Sequence, residues 1–261
     1  MTPRAIDVIL PAYNAEDTIL VALHSLLLQT APDFRVIVID DGSTDRTAEI
    51  VAELARTDGR IMLDRRENGG IVAALNHGLT HSDATFVARM DADDICAPDR
   101  FEKQMQYLHD NPDVVAISGA HEEIDAAGEL THYIHRPPAR ATADFSWVPA
   151  REPQLTHPFL FMRADALKRV QGYRHVKYAE DSDLYWRLAE VGHLSNLTDV
   201  MGRYRMHAAS VSSASVTNGR TMALLSQLAA LSAARRAEPG CCWPDPTPDC
   251  CRRSSRQRTS A

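Results

Sequence analysis

Short apolar runs alternate with segments of helical spacing over the first 118 residues, and this rhythm narrows the available folds more than any other feature of the chain. Ile6–Leu10, Phe34–Ile39, Ile61–Leu63, Thr85–Ala88 and Val114–Ser118 are too brief for helices and favour β-branched residues. Between them, Glu16–Gln29 places Ile19, Leu20, Leu23, Leu26 and Leu27 on one face. A helix after Ser43 carries Ile50, Val51 and Leu54, with Ser43 as N-cap and Asp45 in the first turn, where the helix dipole favours an anion. Another follows Gly70 with Val72, Leu75, Asn76 and Leu79, and Pro98 opens a fourth with Phe101, Met105 and Leu108. The spacing predicts βαβ units with right-handed crossovers, hence an α/β chain with a mostly parallel central sheet flanked by helices.

After Gly119 the rhythm changes. Residues 120–162 are more polar and interrupted by proline, with Asp125-Ala126-Ala127-Gly128 predicted as a hairpin turn. Gln154–Met162 is expected to be a strand, and Arg163–Gln171 a helix closed by Gly172. In Glu180–Leu188 helical spacing puts Asp181, Leu184, Tyr185 and Leu188 on one face, and Asp183 can pair with Arg187 on the outside. A last amphipathic helix is expected over Thr217–Arg235, packed on the sheet or on a partner, with weak peripheral membrane association left open.

Composition excludes several function classes. The net charge of −7 gives no basic field, so nucleic acid is not an expected partner. No apolar run reaches the roughly 20 residues of a transmembrane helix. Asp7 interrupts the start before a signal-peptide core could form, so the cytosol is the expected compartment. Cys241, Cys242, Cys250 and Cys251 do not follow the Cys-x2-Cys spacing of a zinc site, and with the prolines between them residues 237–261 are expected to be a disordered tail.

Acidic residues gather where strands end. Arg89-Met90-Asp91-Ala92-Asp93-Asp94 crowds three carboxylates at a carboxyl strand end, the side on which open α/β sheets bind ligands. Like charges so close raise one another's pKa, and a hard divalent cation is a natural remedy; a solvated acidic turn is the plainer alternative. Asp40-Asp41-Gly42-Ser43 ends the second strand, as an ordinary turn or as an acceptor for a nucleobase or ribose. Asn68-Gly69-Gly70 precedes a helix and suits either a permissive turn or close approach to phosphate. Glu180-Asp181 opens a helix, as dipole complementation or as a general base, and His207 is a structural histidine or a metal or phosphate contact.

Pro11-Ala12-Tyr13-Asn14, Asp40-Asp41-Gly42-Ser43-Thr44-Asp45, Asn68-Gly69-Gly70 with Asn76, Met90-Asp91-Ala92-Asp93-Asp94, and Glu180-Asp181 with Trp186-Arg187 occur in this order. Together, over roughly residues 5–213, they resemble the family-2 glycosyltransferases, bacterial inverting enzymes of the glycosyltransferase A (nucleotide-diphospho-sugar transferase) fold. The resemblance implies a metal-dependent transfer of one sugar from a nucleotide-diphosphate sugar to a glycan or lipid-linked hydroxyl acceptor, in surface polysaccharide or glycolipid assembly, at most at the inner face of the cytoplasmic membrane. It implies that Asp41 contacts the base, flanked by Pro11, Ala12 and Tyr13, with Asn68 and Gly69 also on the donor side. Asp93 would hold Mn2+ or Mg2+ with Asp91 beside it in the Asp-x-Asp motif as a further metal residue nearer the ribose and sugar, and His207 completes this site in some members. Asp181 would be the catalytic base. One domain over 1–236 would divide into a donor half (1–119), a smaller acceptor half (120–213) and the helix of 214–236. The Gln-x-x-Arg-Trp motif of processive members is missing, which favours single transfer. A sugar-1-phosphate nucleotidyltransferase is the alternative enzyme, although Pro11–Asn14 lacks the glycines a triphosphate loop would need; a silent nucleotide-sugar-binding protein is the non-enzymatic one.

Overall fold

The computed structural model describes residues 4–31, 33–144, 146, 149–206 and 224–236. Four parallel strands, β1 (Ile6–Ala12), β2 (Phe34–Asp40), β3 (Ile61–Arg65) and β4 (Phe86–Arg89), lie in the order β3-β2-β1-β4. They are connected by α1 (Ile19–Leu27), α2 (Thr47–Thr57) and α3 (Ile71–Thr80). The strand order reverses at β1, which pairs with β2 on one side and β4 on the other. The loops after β1 and β4 therefore part, and a crevice opens at their carboxyl ends.

The sheet continues beyond β4 through β5 (Ile95–Cys96), β6 (Val114–Ile124), β7 (Leu130–His135), β8 (Phe161–Arg163) and β9 (His193–Arg205). β8 is inserted antiparallel between β4 and β6; β9 runs parallel to β6, and the two-residue β5 pairs with β9. Parallel ladders account for most of the paired residues. α4 (Arg100–Asp110), α5 (Ala164–Arg169), α6 (Glu180–Ala189) and α7 (224–236) complete the described helices.

Every residue of β1 is buried, because helices cover both faces of the sheet. Side-chain alternation sorts the strands into two cores. Val8, Leu10, Val36 and Val38 pack with Leu23, Leu26 and Phe101 on one face. Ile9, Ile37 and Ile39 pack with Leu75, Leu184 and Leu188 on the other. Gly78 lets α3 lie close on the second face, since a Cβ there would come within 2.6 Å of Ile9 Cγ2.

Ser43 is not an N-cap: α2 begins at Thr47, and the Ser43 hydroxyl accepts the Asn14 N–H at 3.0 Å. Gln154–Met162 is not a strand, because Pro158 starts a 3-10 turn at His157–Phe159 and only Phe161 and Met162 of that stretch join β8. The Asp183–Arg187 pair forms at 2.7 Å but lies inside rather than outside, with both side chains nearly inaccessible. Arg187 also donates to the Val170 and Gly172 carbonyls, which fastens α6 to the turn after α5. The hairpin turn at Asp125–Gly128 forms as expected, with Gly128 at φ +91. α7 packs Ala229, Ala230 and Ala233 on Trp186. His207, the first residues of the expected last helix and the tail 237–261 lie outside the described residues.

Candidate active site

The carboxylates of Asp91, Asp93 and Asp94 occupy the turn between β4 and β5, with ligand oxygens all within 4.8 Å of one another. Asp94 is 1 % exposed; its Oδ1 accepts the Arg205 N–H at 2.9 Å, while its buried Oδ2 has no hydrogen-bond partner among the described residues. Burial pushes Asp94 well above the usual carboxylate range, and the charges of Asp91 and Asp93 add to the effect. Asp91 is pushed up to about 6, chiefly by burial, against the pull of the Arg89 guanidinium with which it pairs. Arg205 closes the turn from β9: its Nε donates to the Asp93 carbonyl at 2.8 Å and its Nη1 to the Asp125 and Ala126 carbonyls at 3.1 Å. A compact set of hard oxygens with one oxygen unsatisfied fits a divalent cation of the Mg2+ or Mn2+ type.

On one side of this turn lies the loop that leaves β1. Pro11 and Ala12 end the strand, Tyr13 is half exposed, and Asn14 takes φ +48. The Asn14 side-chain oxygen accepts the Thr44 N–H at 2.9 Å, which ties this loop to the one after β2. A cavity of about 360 Å³ joins Pro11, Tyr13 and Asn14 to Asp91, Asp93 and Arg205. Asp41 sits deeper. Its carboxylate accepts the N–H of Gly69 at 3.1 Å and of Gly70 at 2.7 Å, and pairs with Arg66 at 3.2 Å. The Asn68–Gly70 loop is thus held by Asp41, and Gly69 and Gly70 already have an anion on their amides. Gly42, at φ +80, allows this approach; a Cβ there would meet the Asn68 amide at 2.8 Å.

On the other side, α6 presents Glu180 and Asp181 in its first turn. Asp181 is pushed up to about 6 by burial, with Glu180 and Glu152 adding and the Ser182 N–H opposing. Glu152 accepts the hydroxyls of Ser182 at 2.6 Å and of Ser226, from α7, at 2.7 Å. Tyr173 stands between the two sides. Its hydroxyl contacts His157 Nε2 at 3.0 Å, and after burial the charges acting on it are Arg89, Asp181, Glu180 and Asp91. Asn76 grips the Tyr173 backbone from α3 through both its N–H and its carbonyl, each at 2.9 Å. A second cavity, of about 290 Å³, separates Gly69 and Gly70 from Tyr178 and Glu180. Tyr178 holds φ +62 there, a conformation costly for a bulky residue.

The structure therefore gathers Pro11, Tyr13, Asp91 and Asp93 around one cavity and sets Asp181 near the same buried centre. Asp41 and Asn68 do not line that cavity, and Gly69 lines the second one, beside Glu180. Sequence reasoning missed Arg89, Arg205, Glu152, His157 and Tyr173. Arg89 adjoined a recognised motif, and its Nε and Nη1 are buried without hydrogen-bond partners among the described residues. His157 lies in the stretch expected to be a strand and Tyr173 just past the helix-closing Gly172, and neither belongs to a recognisable motif.

Among known proteins, the family described as Glycosyl transferase family 2 matches residues 7–171, a span that ends before Asp181. The amylovoran biosynthesis glycosyltransferase AmsE of Erwinia amylovora is 32% identical over 203 residues, covering 76% of this chain and 75% of that one. S. aureus TarS 1-349 in complex with UDP-GlcNAc superposes with a TM-score of 0.65 at 21% identity, over 80% of this chain but only 60% of TarS 1-349. The mannosyltransferase PcManGT of Pyrobaculum calidifontis, in complex with GDP-Man and Mn2+, gives 0.64 at 18% identity, over 91% of this chain and 77% of that one. At these identities the two structures speak to the fold alone.

Proposed function

The chain belongs to glycosyl transferase family 2, with the glycosyltransferase A fold, and from that premise we propose that it transfers one sugar from a nucleoside-diphosphate sugar to a hydroxyl of a glycan or lipid-linked acceptor, inverting the anomeric carbon. The supporting observation is the trio of Asp91, Asp93 and Asp94, in which half-buried Asp91 and Asp93 line a cavity on the donor side and buried Asp94 keeps an unsatisfied oxygen among the described residues. These three would hold Mn2+ or Mg2+. A cation held there would offset charge on the diphosphate oxygens as the sugar leaves.

The chain's own residues do the rest. Arg205 fixes the Asp93 backbone and the Asp94 carboxylate, and Arg89 orients Asp91 toward the ribose and sugar side. Pro11, Ala12 and Tyr13 flank the base. Asp41 keeps lone pairs beyond those that hold Gly69 and Gly70, enough to accept one base N–H. Asp181 removes the acceptor proton; a carboxylate held up near 6 is a better base at neutral pH than an ordinary one. In this reading, residues 1–119 bind the donor and 120–213 the acceptor, and His207 is the candidate to complete the diphosphate site. The AmsE likeness makes polysaccharide assembly the proposed setting, on the cytosolic side. No helix among the described residues is long and apolar enough to cross a membrane.

A panel of nucleotide sugars, incubated with the protein and Mn2+, tests the proposal by release of nucleoside diphosphate. One donor or a few should be turned over, and excess chelator should stop the release. Binding without any turnover would make this a silent nucleotide-sugar protein, and pyrophosphate release from a nucleoside triphosphate plus a sugar 1-phosphate would make it a nucleotidyltransferase.

A further inference from the structure

A second cluster, of different chemistry, lies between β3 and α3 and has no part in the transfer described above. His77 in the last turn of α3 and His81 at its C-cap stand four residues apart, so both imidazoles leave the helix end on one face. Asp64 of β3 faces them. Its Oδ2 lies 2.8 Å from His77 Nε2 and 2.7 Å from His81 Nε2, and the two rings are nearly perpendicular at 5.1 Å. One oxygen thus takes two imidazole contacts. All three side chains stay roughly one-third exposed, at 29% for Asp64, 38% for His77 and 31% for His81, so the cluster is open to solvent. The three ligand atoms lie within 4.8 Å of one another. None of the three residues lines either cavity of the active site, and the histidines sit roughly 10–17 Å along the helix axis from Gly70.

Two imidazoles and a carboxylate are the donor set of borderline d-block cations, not of Mg2+, which prefers oxygen alone. The ligands already converge, on a strand and a helix that hold their geometry. The contact with His77 leads in holding the Asp64 carboxylate below its usual range, with burial opposing and His81 adding, so a negative ligand is present at neutral pH. An incoming cation would take the place of the hydrogens now shared with Asp64 Oδ2, the rings opening slightly to admit it. We propose that Asp64, His77 and His81 form a second metal site, selective for Zn2+ or a similar d-block ion, with its remaining position open to water. Bound there, the ion would pin α3 to β3. That helix also carries Asn76, whose bonds to Tyr173 join the two sides of the active site.

Equilibrium dialysis of the full chain against Zn2+ tests this, run in excess Mg2+ to occupy the carboxylate trio and after alkylation of the cysteines. The wild type should retain one equivalent of Zn2+, and His77→Ala should lose it. Asp64→Asn keeps the shape of the site but removes the charged ligand. It should weaken binding at least as much as the roughly tenfold that loss of an outer-shell partner costs. Melting temperatures without zinc report whether each variant is folded, and a folded Asp64→Asn protein decides the matter if His77→Ala does not fold. No Zn2+ on the alkylated wild type, or full wild-type zinc on folded Asp64→Asn, would overturn the proposal.

Discussion

Asp181 carries the heaviest demand on any single residue, because its half-buried carboxyl must be shielded from water and still ionise. Its carboxyl is raised from 3.8 to about 6 by burial, reinforced by Glu180 and Glu152. If it is the base, transfer should rise with pH through about 6 and fall away below, where the carboxyl is protonated. Asp181→Asn should cut transfer by at least about a hundredfold while donor affinity changes only a few fold, and Glu180→Gln should be milder. Steady-state rates with saturating donor check this, and near-normal transfer by Asp181→Asn would remove the assignment. The same shift has a cost in stability. Between about 3.8 and 6 the folded protein holds more protons than the unfolded chain, so stability drops as pH rises through that window. Asp181→Asn should therefore stabilise the protein at neutral pH, on the order of 1–2 kcal/mol, and the gain should vanish near pH 4. Urea unfolding at both pH values measures it. Asp91, Asp93 and Asp181 were legible as residues because acids at strand and helix ends carry a local signal. Arg89 and Arg205 were not, since an arginine's role here depends on which distant carbonyls and carboxylates it meets.

At the scale of elements, the parallel strands and their helices were legible because apolar runs and helical spacing are local patterns, and β1 to β4 appear close to where they were expected. The two-residue β5 and the three-residue β8 are too short to have a period. Their position is set by pairing with strands far along the chain, Ile95 with Arg203 and Phe161 with Ala88 and Ile117. Helical spacing put Asp183 and Arg187 together but assigned them to the outer face, because spacing alone does not fix which side meets the core. The structure places them inside, with the guanidinium shared between Asp183 and the two carbonyls after α5. Arg187→Ala leaves a buried carboxylate and two carbonyls without that donor. It should destabilise the protein by about 3–5 kcal/mol, read from the denaturation midpoint at unchanged slope. A loss under about 1 kcal/mol would mean that this pair does not anchor α6.

Across the whole molecule, one sheet joins the carboxyl ends of β1 and β4 to the β6–β9 ladder, so the turn bearing Asp91–Asp94 is gripped from both sides. The crevice follows from a strand order that local sequence only implies. The resemblance in ordered motifs supplied the fold in advance, whereas the docking of α7 on Trp186 depends on tertiary contact alone. If the carboxylate trio binds a nucleoside diphosphate through a divalent cation, thermal unfolding of the full chain will show it. With Mn2+ and the matching nucleoside diphosphate at about 100 times its Kd, the stabilisation should be about 2.7 kcal/mol, a rise in Tm of roughly 5–10 °C. Asp93→Ala should melt near the unliganded wild type and show no such rise. Equal stabilisation by the nucleotide in excess chelator, or in Asp93→Ala, would contradict the claim.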